Sequence, residues 1–587
     1  MTEFRFSPRP NRASEIAWRP WGKEAFSEAG LTQKPVLLAI SAVWCHWCHV
    51  MDETSYSDPG VIRLINDRYV PVRVDNDQRP DVNRRYNMGG WPTTAFLTPD
   101  GEVITGGTYI PPDVLGQYLV QVADVYRDRR GDIERKVGEV RLEQARQRAA
   151  APGPLQWSMV EDVVGHARGL YDAMHGGFGR EPKFPQPHVV RLLLDDYRRF
   201  RHEDVAVMLH KTLAAMAGGG LYDHVEGGFF RYATQRDWQV PHYEKMLEDN
   251  SELLALYAEA YRTFPQGGYD RVAQGVLRWM NAVLWQPERH LFGGSQDADE
   301  HYFQLDADAR KRLAAPFVDP QLYADWNALA ASGLAALGDD AALARAAEVL
   351  GAIRSQLWDD ESGTYHFDAG DGPQLPSLLA DLASLLAAEL DLYEAGGGRG
   401  SLEWARKIAE RLLALRDEQS GAFFDAPERE EPGRVSTRER PIEDNARAAD
   451  ALLRLAALTH EERWREAALS ALRAFAHEYA QWGQFAAFYA RAVARALTEP
   501  LRVAIVGPER EARSLWDVAR ANDDPAQVRS RLDPERDRDQ LEVEGYPPGE
   551  VAAYVCVGET CSAPIRVPDA LRPELARARE RLVSATR

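Results

Sequence analysis

The sequence predicts a multidomain chain: a small α/β domain, then an all-α (α/α)6 toroid, then a small α/β C-terminal region. Three observations carry this. Apolar runs of the buried-strand type open the chain, and Pro35-Val-Leu-Leu-Ala-Ile-Ser41 runs straight into a Cys-x-x-Cys pair. Glycine-aromatic turns then recur at Gly176-Gly-Phe178, Gly227-Gly-Phe229, Phe292-Gly-Gly294, Gly363-Thr-Tyr365, Gly421-Ala-Phe423 and Gly483-Gln-Phe485. Their spacing of roughly 50–70 residues suits one helical hairpin each. Strand signals return at Leu501-Arg-Val-Ala-Ile-Val-Gly507.

Residues 1–112 form the first unit, with a second strand at 69–75 and a hairpin of 94–98 with 102–105 around Pro99-Asp100-Gly101. One polar helix is expected between the first two strands, from about Cys45 to Asn66. A charged helical linker, 113–156, ends in Ala151-Pro-Gly-Pro154. The helical unit, 157–498, shows Ala/Leu/Arg-rich helical periodicity at 189–200, 253–262, 341–357 and 446–458. Six hairpins of this size close into a toroid; an open helical solenoid is the alternative. In the C-terminal region, 499–587, strands at 501–507 and 552–558 flank a charged stretch, 513–542, expected to be partly mobile.

Composition narrows the function. With 587 residues, 45% hydrophobic and 27% charged, the chain has ample core material. A net charge of −20 repels phosphate backbones and argues against nucleic acid as the partner. No apolar run approaches the roughly 18 residues of a membrane span, and the polar start lacks the apolar segment of a secretory signal. A cytoplasmic location is expected, with no membrane partner. Four cysteines are too few for a disulfide framework, and they fall as two close pairs.

The first pair lies in Trp44-Cys45-His46-Trp47-Cys48-His49, where a strand hands over to a helix. A helix N-terminus stabilises negative charge, which makes Cys45 the more acidic thiol and the attacking one, with Cys48 resolving. Imidazoles at His46 and His49, when protonated, would stabilise the thiolate further. Pro92, just before the strand at Thr94, suits a cis peptide beside the pair. Two alternatives stay open: zinc held by Cys45, Cys48, His49 and a fourth ligand, or an inert pair. Cys556 and Cys561, without a helix dipole or imidazole nearby, read as buried or loosely placed thiols.

In the helical unit the richest stretch runs from Asp223, His224 and Glu226 through Arg231 and Trp238 to His242, Glu244 and Asp249. A helix starting near Pro241 would set Lys245 and Asp249 one turn apart on one face. Asp297, Asp299 and Asp381 add carboxylates, and Trp238, Tyr243 and Trp326 offer flat surfaces for sugar rings. Paired carboxylates serve glycoside chemistry; a histidine base serves epimerisation. The structural alternative is that these groups cap turns and pair charges. His175, His188 and His202 read as ordinary turn or surface histidines.

Lys34-Pro35, Cys45-His-Trp-Cys-His-Val-Met51, Val74-Asp75, Arg79-Pro80-Asp81, Gly89-Gly-Trp-Pro92 and Gly107-Thr-Tyr109 resemble the thioredoxin-like domain of the spermatogenesis-associated protein 20 family. The resemblance continues through Gly227-Gly-Phe-Phe-Arg-Tyr232, Val240-Pro-His-Tyr-Glu-Lys-Met-Leu247, Asp249-Asn250, Asp297-Ala-Asp299, Trp326-Asn327 and Ala553-Tyr-Val-Cys556, nearly the whole chain. It implies a thioredoxin-like fold, a six-hairpin glycosidase-like toroid, and Pro92 as the cis proline. Asn76-Asp77-Gln78 and Arg440-Pro-Ile-Glu-Asp-Asn445 depart from the family pattern. The reading that follows is a thioredoxin-like thiol–disulfide oxidoreductase domain fused to a ligand-binding toroid, with a protein dithiol or disulfide and a small carbohydrate as partners and no cofactor. A sugar-active epimerase or glycosidase-like enzyme is the alternative, and a non-catalytic scaffold the second.

Overall fold

The computed structural model describes residues 4–147 and 151–586. Four strands build the first sheet: β1 (Val36–Ser41), β2 (Val70–Asp75), β3 (Thr93–Leu97) and β4 (Val103–Gly107). Their order is β2-β1-β3-β4, with β1 parallel to β2 and antiparallel to β3. The first five residues of β1 and of β2 are all buried, as expected for a sheet covered on both faces. Two helices, His46–Glu53 and Pro59–Arg68, replace the single helix expected between β1 and β2. The break is set by Asp58, whose carboxylate accepts the N–H groups of Gly60 and Val61 at 2.8 and 2.9 Å, with Pro59 in the first helical position. With the helices Pro80–Tyr86 and Pro112–Gln147 the chain completes a β-α-β-α-β-β-α, thioredoxin-like order.

The helical unit is a closed (α/α)6 ring, which rules out the open solenoid. Among the described residues, the inner helices are Pro187–Phe200, Leu247–Thr263, Ala324–Leu337, Leu379–Leu392, Ile442–Thr459 and Ala487–Ala496. Each packs on the next, and the last packs back on the first. Outside them lie Glu203–Gly218, Tyr269–Trp279, Asp340–Gln356, Arg399–Leu413, Glu462–Arg473 and Ser158–Leu170, the last closing against the final inner helix.

A repeated side-chain device ties turns to helices. The fourth residue of three inner helices is a buried asparagine that grips the aromatic residue of a preceding glycine turn through its backbone. Asn250 accepts the Phe229 N–H at 2.7 Å and donates to the Phe229 and Met246 carbonyls, both at 2.9 Å. Asn327 does the same to Phe292 and Tyr323, and Asn445 to Phe423 and Pro441. Each amide therefore satisfies three otherwise orphaned backbone groups. Gly227, at φ +88°, shows why such turns need glycine: a Cβ there would lie 2.1 Å from the Gly275 carbonyl oxygen.

The expected helix start near Pro241 is not what forms. Pro241–His242 pairs as a strand with Tyr232–Ala233, Lys245–Met246 pairs with Ser295–Gln296, and the helix begins at Leu247. Lys245 is extended because its ammonium is drawn to buried Asp223, 2.6 Å away.

The C-terminal sheet repeats the topology of the first. Leu501–Val506 runs parallel to Gln527–Leu532 and antiparallel to Ala552–Val557, which pairs with Thr560–Cys561. Helices Glu509–Ala521, Arg538–Glu544 and Pro568–Thr586 complete the same β-α-β-α-β-β-α order. Where the first strand of the first sheet leads into Trp44-Cys45, that of this one leads into Gly507-Pro508, with no cysteine at that strand end. The charged stretch expected to be mobile is a helix, a strand and a helix, ordered by burying Leu515, Trp516, Val528 and Leu541. Cys556 and Cys561 are not loose thiols: they face each other across a tight antiparallel turn, Cα atoms 4.0 Å apart, and are joined as a disulfide. Among the described residues no helix is long and apolar enough to cross a membrane.

The two small domains cover opposite ends of the ring. The first sits over the N-terminal ends of the inner helices, where Arg85 pairs with Asp425 at 2.7 Å and Arg84 with Asp444 at 2.8 Å. The second closes the far end, where Asp523 receives Arg198 and Arg262 at 2.9 Å each. A cavity of about 480 Å³ remains on the axis there, lined by paired charges such as Arg191–Glu252, Arg454–Asp391 and Arg491–Asp195.

Candidate functional site

Cys45 is the N-cap of the helix His46–Glu53, and its sulfur accepts the N–H of Cys48 at 3.2 Å. The sulfur therefore meets the positive end of the helix, the environment that favours a thiolate. Cys45 and Cys48 are joined as a disulfide, Cα atoms 5.2 Å apart. Pro92 follows a cis peptide bond from Trp91, and the Trp91 ring packs edge-on against Trp44 at 5.9 Å between centroids.

The pair is not presented to solvent. Cys45 is 4% and Cys48 2% exposed, and both belong, with Trp44, to the hydrophobic core of the ring. Ring residues wall them in. The Glu244 carboxylate lies 3.5 Å from the His46 N–H; Arg231 lies over the faces of Trp44 and Trp91, 4.4 and 5.0 Å from their centroids. His242 stacks on Tyr232 and stands 3.7 Å from Glu244. Burial opposes charge on Glu244, but His242 and Arg231 hold its pKa below the ordinary carboxylate value.

His49 turns Nε2 to the Val43 carbonyl, 3.1 Å away, so that Nε2 donates and Nδ1 faces Asp297 at 3.9 Å. Burial, the largest influence, pushes the imidazole pKa down, which leaves the ring neutral near pH 7. Burial thus opposes the protonated form of His49 through which the imidazole was expected to stabilise the thiolate. Burial raises Asp297 to about 7 despite Arg5, 3.6 Å away. A neutral imidazole and a carboxyl that titrates near neutrality thus stand together beside the dithiol, competent to pass a proton.

Of the residues singled out from sequence, the structure gathers Cys45, Cys48, His46, His49, Arg231, His242, Glu244 and Asp297 into this one enclosure, with Pro92 behind it. Others are engaged elsewhere. Asp223 accepts the N–H groups of Val225 and Glu226 and binds Lys245 and Arg310, at 2.6 and 2.8 Å. His224 bonds the Gly219 carbonyl of its own loop at 3.0 Å. Glu226 accepts the Tyr302 hydroxyl at 2.7 Å, and Asp299 caps the short helix Glu300–Phe303. Trp238, 1% exposed, and Trp326, 6% exposed, lie in the core and present no face to a sugar. Tyr243 stacks on Phe303. His188, read as an ordinary turn or surface histidine, instead stands 3.3 Å from Glu443 and 3.9 Å from Glu252 inside the ring.

Asp249 and Asp381 sit at the inner-helix starts around the ring axis. Burial brings Asp249 to about 6, and burial with nearby Asp381 brings Asp325 to about 7. Glu248 is packed about by protein yet keeps contact with solvent; desolvation and the adjacent Asp249 carry its pKa well above the ordinary value. Sequence reasoning missed Asp77, Asp325 and His366. Buried Asp77 accepts the Trp44 indole N–H at 2.7 Å, and its carbonyl accepts from His366 Nε2 at 2.8 Å. A readable signal existed for Asp77, the short acidic stretch following β2; none existed for its partner, 289 residues on.

The carboxylates at this end of the ring set a pH dependence. Burial raises Asp75 and Asp249 to about 6, and Asp297, Asp319 and Asp325 to about 7. Between the unfolded value of 3.8 and these values the folded state binds more protons than the unfolded one, so stability falls as pH rises. His49 acts oppositely below 6.5, whereas Asp77 and Glu248, raised by burial, and His366, raised against its burial to about 10 by Asp381 and Asp325, act in the same direction as the five. We expect the melting midpoint to be several degrees higher at pH 5.5 than at pH 8 by differential scanning fluorimetry, with the slope shallower in Asp297→Asn; a flat or rising profile refutes the assignment.

A thioredoxin-like domain docked by its dithiol on an (α/α)6 ring is the class defined by this fold and site. A family model named Thioredox_DsbH and described as "Protein of unknown function, DUF255" matches residues 9–144. Human spermatogenesis-associated protein 20 is 26% identical over 95% of this chain and 89% of its own length, so the resemblance to that family runs through the dithiol domain and ring alike. An uncharacterized Caenorhabditis elegans protein is 36% identical over 308 residues, 48% of this chain; the chain spans less than half, 41%, of that protein. Among solved structures, cellobiose 2-epimerase from Bacillus thermoamylovorans aligns with 55% of this chain and 87% of its own at 12% identity and a TM-score of 0.45. The GH76A α-1,6-mannanase from Salegentibacter aligns with 54% and 87% at 17% identity and a TM-score of 0.38.

Proposed function

We propose that this chain is a thiol–disulfide oxidoreductase whose dithiol works inside the mouth of the ring on small disulfides. One observation carries it: the helix-capping sulfur of Cys45, with Cys48 one turn on, is enclosed by Glu244, Arg231 and Asp297 of the ring. In the reduced state the Cys45 thiolate attacks one sulfur of the substrate disulfide, and the displaced thiolate takes a proton. Cys48 then attacks the mixed disulfide at Cys45, releases the second substrate thiol and leaves the Cys45–Cys48 bond. Two electrons pass to the substrate. His49 and Asp297 supply the proton route.

Enclosure selects by size. The reduced protein is expected to reduce glutathione disulfide or bis(2-hydroxyethyl) disulfide while leaving the interchain disulfides of insulin at the uncatalysed rate. Equal activity on insulin would refute the size selection, and inertness toward all three would reduce the pair to a structural link.

A second reading, favoured by water-accessible Glu248 beside Asp249 and Asp325, makes the ring axis an acid–base site for a carbohydrate. Turnover of disaccharides that survives Cys45→Ser and is lost in Glu248→Gln would establish it; no turnover would remove it.

A further inference from the structure

Outside the dithiol enclosure, three side chains from separate elements converge at the ring mouth. Asp325 comes from the first turn of the inner helix Ala324–Leu337, His366 from the strand Gly363–Asp368, and Asp381 from the first turn of the inner helix Leu379–Leu392. One oxygen or nitrogen from each lies within 4.8 Å of the others. His366 Nδ1 is 2.9 Å from Asp381 Oδ1 and 3.9 Å from Asp325 Oδ1.

A salt bridge between His366 and Asp381 accounts for part of this but not all. Asp381 is fully buried, 0% exposed, and its Oδ2 has no hydrogen-bond partner. A buried carboxylate oxygen left without a partner is costly, and no neighbouring donor among the described residues relieves it. The histidine is also oriented for another task. Nε2 must donate to the Asp77 carbonyl at 2.8 Å, because a carbonyl only accepts. With Nε2 fixed as the protonated nitrogen, loss of a single proton from Nδ1 turns its lone pair toward both aspartates. A backbone carbonyl holding the distal nitrogen of a histidine is the usual outer support of a metal ligand.

We propose that Asp325, His366 and Asp381 bind a divalent transition-metal ion of the zinc type, through Nδ1 of the histidine and one oxygen from each aspartate. Two carboxylates and an imidazole suit a borderline ion. Binding releases the Nδ1 proton to solvent, and the ion then stands where that proton stood. Asp325, side chain 16% exposed, gives the entry path from the ring axis. Three protein ligands leave a coordination position open on that side, as in zinc sites that admit an exchangeable oxygen ligand. The site touches the dithiol domain through Asp77, which also receives the indole N–H of Trp44 beside Cys45.

The test uses the whole chain, stripped with EDTA and with the Cys45–Cys48 pair oxidised, so that those thiols are not available as ligands. Calorimetric titration with Zn²⁺ is expected to show one equivalent bound, and bound Zn²⁺ to raise the melting midpoint. Asp381→Asn and His366→Gln should each weaken binding at least about 100-fold, beyond the roughly 10–100-fold typical of an outer partner. Asp325→Asn, at the half-buried water-facing position, is the variant to use should the buried ones fail to fold. Co²⁺ in the same site should show d–d absorption without a thiolate charge-transfer band. The proposal is overturned if the oxidised protein binds no zinc, if Asp325→Asn and Asp381→Asn bind as wild type, or if binding appears only on reduction and disappears in Cys45→Ser.

Discussion

Cys45→Ser is expected to bring disulfide turnover to the uncatalysed rate, and Cys48→Ser to stop at a stable mixed disulfide on Cys45. The asymmetry follows from where the two sulfurs sit. Cys45 accepts the Cys48 N–H at the positive end of the helix, so its thiolate is the stabilised one, whereas Cys48 lies within the first turn and is 2% exposed. Losing the attacking thiol removes the covalent step outright; losing the resolving thiol removes only the second displacement. Mass spectrometry after incubation of each variant with glutathione disulfide gives the readout. Cys48→Ser should carry one glutathione at Cys45, and Cys45→Ser none. The reverse labelling would exchange the roles, and equal labelling would show that helix capping does not set the reactive thiol.

His49→Ala separates the dithiol from its proton route. Its imidazole is neutral and faces Asp297, so removing it should slow turnover near neutral pH while leaving the redox potential close to wild type. A large shift in potential would mean that the histidine does stabilise the thiolate as a cation, against the burial that holds it neutral.

The parts of this site legible in sequence are those that local rules write. Strand, Cys-x-x-Cys and helix N-terminus follow one another between Val36 and Glu53, so the pairing of the thiols and the identity of the capping sulfur follow from short-range geometry. The ring was legible through its turns, because each glycine-aromatic pair marks one hairpin; the asparagine at the fourth position of an inner helix, seen at Asn250, Asn327 and Asn445, is the same signal in a second form. Enclosure was not legible. It depends on ring residues such as Glu244 reaching the dithiol helix across a sequence separation of 198, and on Asp77 meeting His366 across one of 289. Nor does charge patterning reveal which carboxylates are structural, since Asp223 and Asp297 look alike in sequence and differ only in what surrounds them. The C-terminal region hid its repeated topology because its edge strand, Gln527–Leu532, has only Val528 and Leu532 as apolar residues and lies within a charged stretch, so it shows neither an apolar run nor a clean alternation.

Asp223→Ala should cost about 3–5 kcal/mol of ring stability, the range for leaving buried charges unpaired. Asp223 is 3% exposed and holds Lys245, 0% exposed, and Arg310, 4% exposed, while its other oxygen fixes the turn that begins the Gly227-Gly228 hairpin. The alanine variant leaves Lys245 without its carboxylate partner in the core, leaves Arg310 paired with Glu226 at 3.3 Å, and frees two backbone donors at once. Asp223→Asn keeps an acceptor for the turn and removes only the charge, so its loss should be smaller. Asp172, with Lys183 at 2.9 Å and the N–H groups of Met174 and His175, is the same device one hairpin earlier, and Asp172→Ala should behave alike. Urea unfolding followed by circular dichroism measures all three. The physical distinction from catalysis is sharp: a turn-tying aspartate lowers the unfolding midpoint and leaves the chemistry of the surviving folded fraction intact. An Asp223→Asn protein with a wild-type midpoint and no activity would return this residue to the reacting centre, and the ring mouth would then have to be rebuilt around it.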